Sequence, residues 1–66
     1  MDNKILKYVP KAKREAIRDA YRDEDGYWIC LKEGWEASHT DSGCRIIHED
    51  TLPDLRYQIA GIQRTA

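Results

Sequence analysis

The run Tyr27-Trp28-Ile29-Cys30-Leu31-Lys32 constrains this chain more than any other segment. Aromatic and β-branched residues crowd it, and Gly26 and Gly34 bracket it, the composition of a strand held between two turns. A strand needs at least two partners or a covering helix to be stable in water. Two following segments offer themselves. Trp35-Glu36-Ala37-Ser38-His39 comes after the short turn Glu33-Gly34, and Cys44-Arg45-Ile46-Ile47-His48 comes after the polar turn Thr40-Asp41-Ser42-Gly43. Three strands joined this way predict an antiparallel meander.

Helices are expected on either side of it. The first covers residues 10–22: Pro10 suits an opening turn, where its missing N–H costs nothing. Ala12, Ala16, Ile17, Ala20 and Tyr21 recur at helical spacing, and Asp23-Glu24-Asp25-Gly26 ends the pattern. Residues 1–9, with Ile5, Leu6, Tyr8 and Val9, form an N-terminal arm or a short helical turn. The last helix starts at Asp50 or Thr51 as N-cap, with Pro53 in the first turn and Asp54 placed as in a capping box. Leu52, Leu55, Ile59 and Ile62 share one face, Gly61 weakens the end, and residues 63–66 are expected to fray. The expected architecture is a single α+β domain over residues 1–66, ordered α-β-β-β-α, with two helices packed on one face of a three-stranded antiparallel meander.

Size and composition set limits on function. A chain of 66 residues buries only roughly 60% of its unfolded surface, so an oligomer or a staple would help it. Its 41% hydrophobic and 35% charged content suits a globular domain and not a disordered one. No apolar run approaches the roughly 18 residues of a membrane span. The start Met1-Asp2-Asn3-Lys4-Ile5-Leu6-Lys7 is too charged for a secretory signal. The expected location is therefore cytoplasmic, with Cys30 and Cys44 as reduced thiols.

Strand register bears on function. A two-residue turn at Glu33-Gly34 sets Cys30 opposite Ala37 and Trp28 opposite His39, and opposed residues share a face. Trp28, Cys30, Trp35, Ala37, Ile46 and His48 then fall on one face, and Tyr27, Ile29, Leu31, Arg45 and Ile47 on the other. Two short helices can cover only one of them. The open face would carry large apolar side chains, the mark of a contact surface. The candidate anchors are Trp28 and Trp35 for one face and Tyr27 and Ile47 for the other. The expected partner is a protein, including a second copy of the chain as a homodimer.

The same residue types admit other chemistry. Cys30, His39, Cys44 and His48 have zinc-compatible types, but they lack a C-x2-C or H-x3-H spacing. In a meander the two cysteines sit two strands apart, on the order of 10 Å. No metal and no cofactor is therefore expected. His48-Glu49-Asp50-Thr51 reads more simply as a strand end and helix cap than as an acid–base cluster, and the chain has no phosphate loop or nucleophile motif. No enzyme activity and no small-molecule substrate is expected. The alternative is nucleic acid. Lys7 precedes Lys11, Arg14, Arg18 and Arg22, which would line one face of the first helix and could neutralise phosphates. Residues 1–22 hold seven Lys or Arg against three Asp or Glu, and the remainder holds four against nine, so the two halves can also simply attract one another.

The stretch from Gly26 to Trp35 followed by Ile47-His48-Glu49-Asp50-Thr51 resembles a group of short uncharacterised proteins of bacterial genomes, their phages and mobile elements. These share a tyrosine–tryptophan strand, a glycine–aromatic turn and an H-E-D-T junction into a final helix. The resemblance covers residues 18–60. It implies a phage or mobile-element context, where small proteins bind and block a host protein, including defence nucleases. A second resemblance is to the sheet-and-helix amino-terminal domains of phage integrases, whose strands are rich in Lys and Arg. Here only Lys32 and Arg45 fit that. The element order is also similar to double-stranded-RNA-binding domains, but the expected basic start of the last helix is replaced by Asp54 with Arg56 alone.

Overall fold

A computed structural model describes residues 3–65. The ends of the expected arm and tail, Met1, Asp2 and Ala66, lie outside the described residues. A one-turn helix α1 (Asn3–Leu6) leads through Pro10 into a 3-10 segment (Lys11–Ala16). Strands β1 (Ile17–Asp23), β2 (Gly26–Leu31), β3 (Trp35–Ala37) and β4 (Ile46–Glu49) follow, then α2 (Leu52–Ala60) and β5 (Ile62–Arg64). The mixed α+β class and a three-stranded antiparallel sheet are both present, with strand order β1-β2-β4.

The membership of that sheet differs from the expected one. Residues 17–23 are a strand, not the second half of a helix. The reason lies in a β-bulge. Ile17 pairs with Leu31 and Asp19 with Cys30, so two steps on β1 answer one on β2 at Arg18. The bulge shifts the alternation, so that Ile17 and Ala20, three apart, both point inward and are both buried. That spacing imitates a helix. Ala16 ends the 3-10 segment, and its carbonyl accepts from Lys32 N–H at 2.8 Å, which ties the segment to the end of β2.

The second correction concerns residues 35–39. β3 leaves the main sheet and pairs antiparallel with β5, Ala37 opposite Ile62 and Trp35 opposite Arg64. Ser38 fastens the junction, donating from both N–H and Oγ to the Gly61 carbonyl at 2.8 and 2.6 Å. Residues 63 and 64, expected to fray, are thus the paired end of a strand. β4 takes the place expected for residues 35–39 beside β2, with Trp28 opposite His48 and Cys30 opposite Ile46.

The core lies between the inner face of the main sheet and α2. Ala20, Ile29, Ile47, Leu55 and Ile59 meet there, with Ile5, Val9 and Ile62 closing the sides. Burying such side chains removes apolar surface from water at about 25 cal/mol per Å², and no polar or charged residue is buried among the described ones. Thr51 caps α2: its Oγ1 accepts from Asp54 N–H at 3.4 Å and donates to Asp54 Oδ2 at 2.9 Å. At the other end, Lys13 Nζ donates to the Ala60 carbonyl at 2.6 Å, placing a cation on the negative end of the helix dipole. Gly26 has φ +129°, and a Cβ there would stand 2.6 Å from the Glu49 carbonyl oxygen. Only glycine lets the β1–β2 turn approach β4 this closely. No described helix is long and apolar enough to cross a membrane.

Candidate functional site

The strand pairings decide which side chains stand on the outer face of the main sheet. Ile29, Leu31, Ile47 and Ala20 point inward and are buried. The alternating positions point outward, since the side-chain period of a strand is two. Tyr21, Trp28 and His48 are directly opposed on β1, β2 and β4. Their rings stack into a ladder across the sheet. Tyr21 and Trp28 have centroids 6.1 Å apart, Trp28 and His48 3.9 Å, each pair within 13° of parallel. One row further along the strands lie Asp19, Cys30 and Ile46, opposed in turn on β1, β2 and β4, and Ile46 is 57% exposed.

The ladder is fixed at its rim by the β1–β2 turn. Trp28 Nε1 donates to Asp23 Oδ1 at 3.0 Å, and the same carboxylate oxygen accepts from Asp25 N–H at 2.9 Å. His48 Nε2 lies 2.8 Å from the Asp25 carbonyl oxygen. A carbonyl only accepts, so Nε2 carries the proton. This bond goes to backbone, not to a nucleophile, which leaves His48 a positioning role in the ladder. The stacked rings turn their faces to one another and their edges to solvent. That offers a ridge for packing and not an open ring face at Trp28 for a nucleobase.

Beside the ladder, Asp23, Glu24, Asp25 and Asp50 line a shallow hollow together with Arg22. At the opposite end, beyond Cys30 and Ile46, Arg18 and Arg45 flank a depression of about 340 Å³ with Cys30 and Cys44 on its wall. The bulge aims Arg18 there. Neither guanidinium has an ion pair or hydrogen bond among the described residues.

The residues singled out from sequence are distributed as follows. Trp28 stands on the outer face. Trp35 does not join it: it lies half-buried in the β3–β5 sheet with the Arg64 guanidinium 5.1 Å from its ring centre. Tyr27 is half-buried beneath Arg22, whose guanidinium is 4.9 Å from its ring, and Ile47 is in the core. Tyr21 and Ile46 are additions to the expected anchors: strict alternation along the strands puts Ile46 on the same face as Trp28, whereas the bulge disguises Tyr21 as part of a helix. Cys30 and Cys44 share one depression, because β4 and not β3 adjoins β2, and both thiols are free. Cys44 Sγ donates to the Ile46 carbonyl at 2.9 Å. His48 belongs to the ladder, and His39 stacks on Tyr57 at 4.3 Å above Gly61. Among the described residues no three side chains group as metal ligands.

The basic row is dispersed with the helix that was to carry it. Lys11 and Arg14 are in the 3-10 segment, where Arg14 Nε donates to the Val9 carbonyl at 3.1 Å. Arg18 and Arg22 are on β1, and the bulge sends them to different faces. Lys7 and Arg22 meet Lys4, Tyr8 and Tyr27 around a depression of about 180 Å³. No family model, no curated protein and no solved structure matches this chain.

Proposed function

We propose that this protein is a non-enzymatic protein-binding module whose contact surface is the outer face of the β1-β2-β4 sheet. The observation that carries this is the helix-free ladder Tyr21–Trp28–His48 with Ile46 on the main sheet, in which Tyr21, His48 and Ile46 are exposed and Trp28 is half-buried between its neighbours. Aromatic anchors of this kind dominate binding energy where they sit in the middle of a contact and are ringed by polar groups. A phage or mobile-element protein that blocks a host protein in the cytoplasm is the setting that the sequence resemblance implies. The test is cross-linking in the native host with the intact chain and with Trp28→Ser and Ile46→Glu. A protein captured by the first and lost by both variants, with folding retained, supports the reading. Capture that is indifferent to both changes refutes it.

A second reading rests on Lys4, Lys7 and Arg22 around Tyr8 and Tyr27. Cations beside tyrosine rings suit a phosphate chain with stacked bases. It predicts duplex or single-stranded nucleic-acid binding that weakens steeply with salt, and absence of a low-salt gel shift would end it.

A further inference from the structure

The depression between Arg18 and Arg45 holds both of the chain's thiols, and the protein-binding reading makes no use of it. We infer that it is a modification site, where Cys30 exchanges with a small disulfide whose carboxylates are held by the two guanidinium groups. The inference stands independently of the protein-binding reading.

The two arginines reach one hollow from different strands. Arg18 is the extra residue of the β1 bulge, and a bulge re-aims the side chain it carries. Arg45 directly precedes β4, and its carbonyl accepts from Leu31 N–H at 2.7 Å, which fixes it beside β2. Both side chains are exposed, and neither has an ion pair or hydrogen bond among the described residues. A guanidinium presents its N–H donors in a planar fork that matches a carboxylate. Two such forks without partners, on either side of one hollow, form a receptor for an anion. The opposing charge in this row is Asp19, across from Cys30. Asp19 does not line the hollow, and its Oδ1 already accepts from Ala20 N–H at 2.9 Å.

Leu31 and Ile46 complete the wall, and the volume of about 340 Å³ is that of a small-molecule site. The thiols are not equivalent. Cys44 Sγ donates to the Ile46 carbonyl at 2.9 Å. Attack on a disulfide requires a thiolate, and Cys44 gives up this bond to form one. Cys30 makes no hydrogen bond among the described residues and gives up none. It points outward from β2, half-buried between Asp19 and Ile46.

In the exchange, Cys30 releases its proton to solvent and its sulfur attacks one sulfur of the disulfide. The S–S bond of the reagent breaks, and the second sulfur leaves as a thiolate with the electron pair. The incoming disulfide is the oxidant: one half stays on Cys30 as a mixed disulfide and the other departs reduced. Arg18 and Arg45 are positioning residues. They draw in and hold the anion and take no part in the electron transfer.

The test compares two reagents on the folded chain: dithiobis(nitrobenzoate), which carries a carboxylate on each ring, and dithiodipyridine, which is uncharged. Both give a coloured product on exchange. In the Cys44→Ser background, Arg18→Gln with Arg45→Gln should slow the carboxylated reagent by about tenfold or more at low salt, and the neutral one by less than about threefold. Arg18→Lys with Arg45→Lys keeps the charge and should restore the first rate to within about threefold. Salt should remove most of the parent's preference for the anion, since both guanidiniums are exposed. With Cys44 present, mass spectrometry should place the first adduct on Cys30. Circular dichroism and melting of each variant exclude misfolding as the cause. Equal slowing of both reagents overturns the inference, because the arginines then act on the thiol and not on the anion. So does an unchanged rate in the glutamine variant, a first adduct on Cys44, or a Cys30 that reacts only after unfolding in urea.

Discussion

Replacing Gly26 and Gly34 by alanine, one at a time, separates backbone strain from a close approach between strands. Both have positive φ, +129° and +92°. An L-residue there is strained by on the order of 1–2 kcal/mol. At Gly34 nothing lies within 4 Å of the added Cβ, so strain is the whole cost. At Gly26 the Cβ meets Glu49 O at 2.6 Å, Glu49 C at 3.2 Å and Asp50 Cα at 3.3 Å. All three are backbone atoms and cannot swing aside as a side-chain tip does. Pushing β4 back adds an overpacking cost of roughly 1–3 kcal/mol. The totals are then about 1–2 kcal/mol for Gly34→Ala and about 2–5 kcal/mol for Gly26→Ala. A domain of this length has on the order of 3–10 kcal/mol in all, so Gly26→Ala brings it close to unfolding. Urea titration followed by tryptophan fluorescence measures both. With a slope near 1 kcal/mol per molar urea, the midpoints should differ by about 1–3 M, Gly26→Ala being the lower. Equal midpoints, within about 0.5 M, would mean that the turn does not press on Glu49, and the β2–β4 register would be wrong.

Two further substitutions check the cap and the sides of the sheet. Thr51→Ala removes the acceptor for Asp54 N–H and should cost about 1 kcal/mol, read as a lower urea midpoint. Ile29, fully buried, and Ile46, 57% exposed, lie on opposite faces. Ile29→Ala should cost roughly 2–5 kcal/mol and Ile29→Val roughly 0.5–1.5, whereas Ile46→Ala should stay within about 0.5 kcal/mol; the reverse ranking would invert the sheet.

Local chemistry carried part of this fold into the sequence. The strand at residues 27–31 was legible because its composition and bracketing glycines leave few alternatives. So was the start of α2, where Thr51, Pro53 and Asp54 each have a positional meaning. The alternation along residues 27–32 and 44–48 also divided Trp28, Cys30, Ile46 and His48 from Tyr27, Ile29, Leu31 and Ile47 correctly. What escaped was pairing between distant segments. Ala16, Ile17 and Ala20 read as a helix because a bulge changes a period of two into a step of three, and alanine is itself a strong helix former. Trp35-Glu36-Ala37 was given to the nearest strand, as sequential strands commonly are, although its true partner, Ile62–Arg64, is three residues long and has no composition to announce it. Both differences carry into the site: a meander register adds Trp35 to the outer face, and an apparent helix removes Tyr21 from it.

The bulge at Arg18 also governs what the sheet does at its open border. Ala20 N–H donates to Asp19 Oδ1 at 2.9 Å, so one of the groups that could template a foreign strand is already taken. A kinked border with alternating Arg and Asp side chains is a poor seed for the stacking of chains side by side that ends in fibrils. The chain can therefore display Tyr21 and Ile46 at the surface of its main sheet without polymerising through β1.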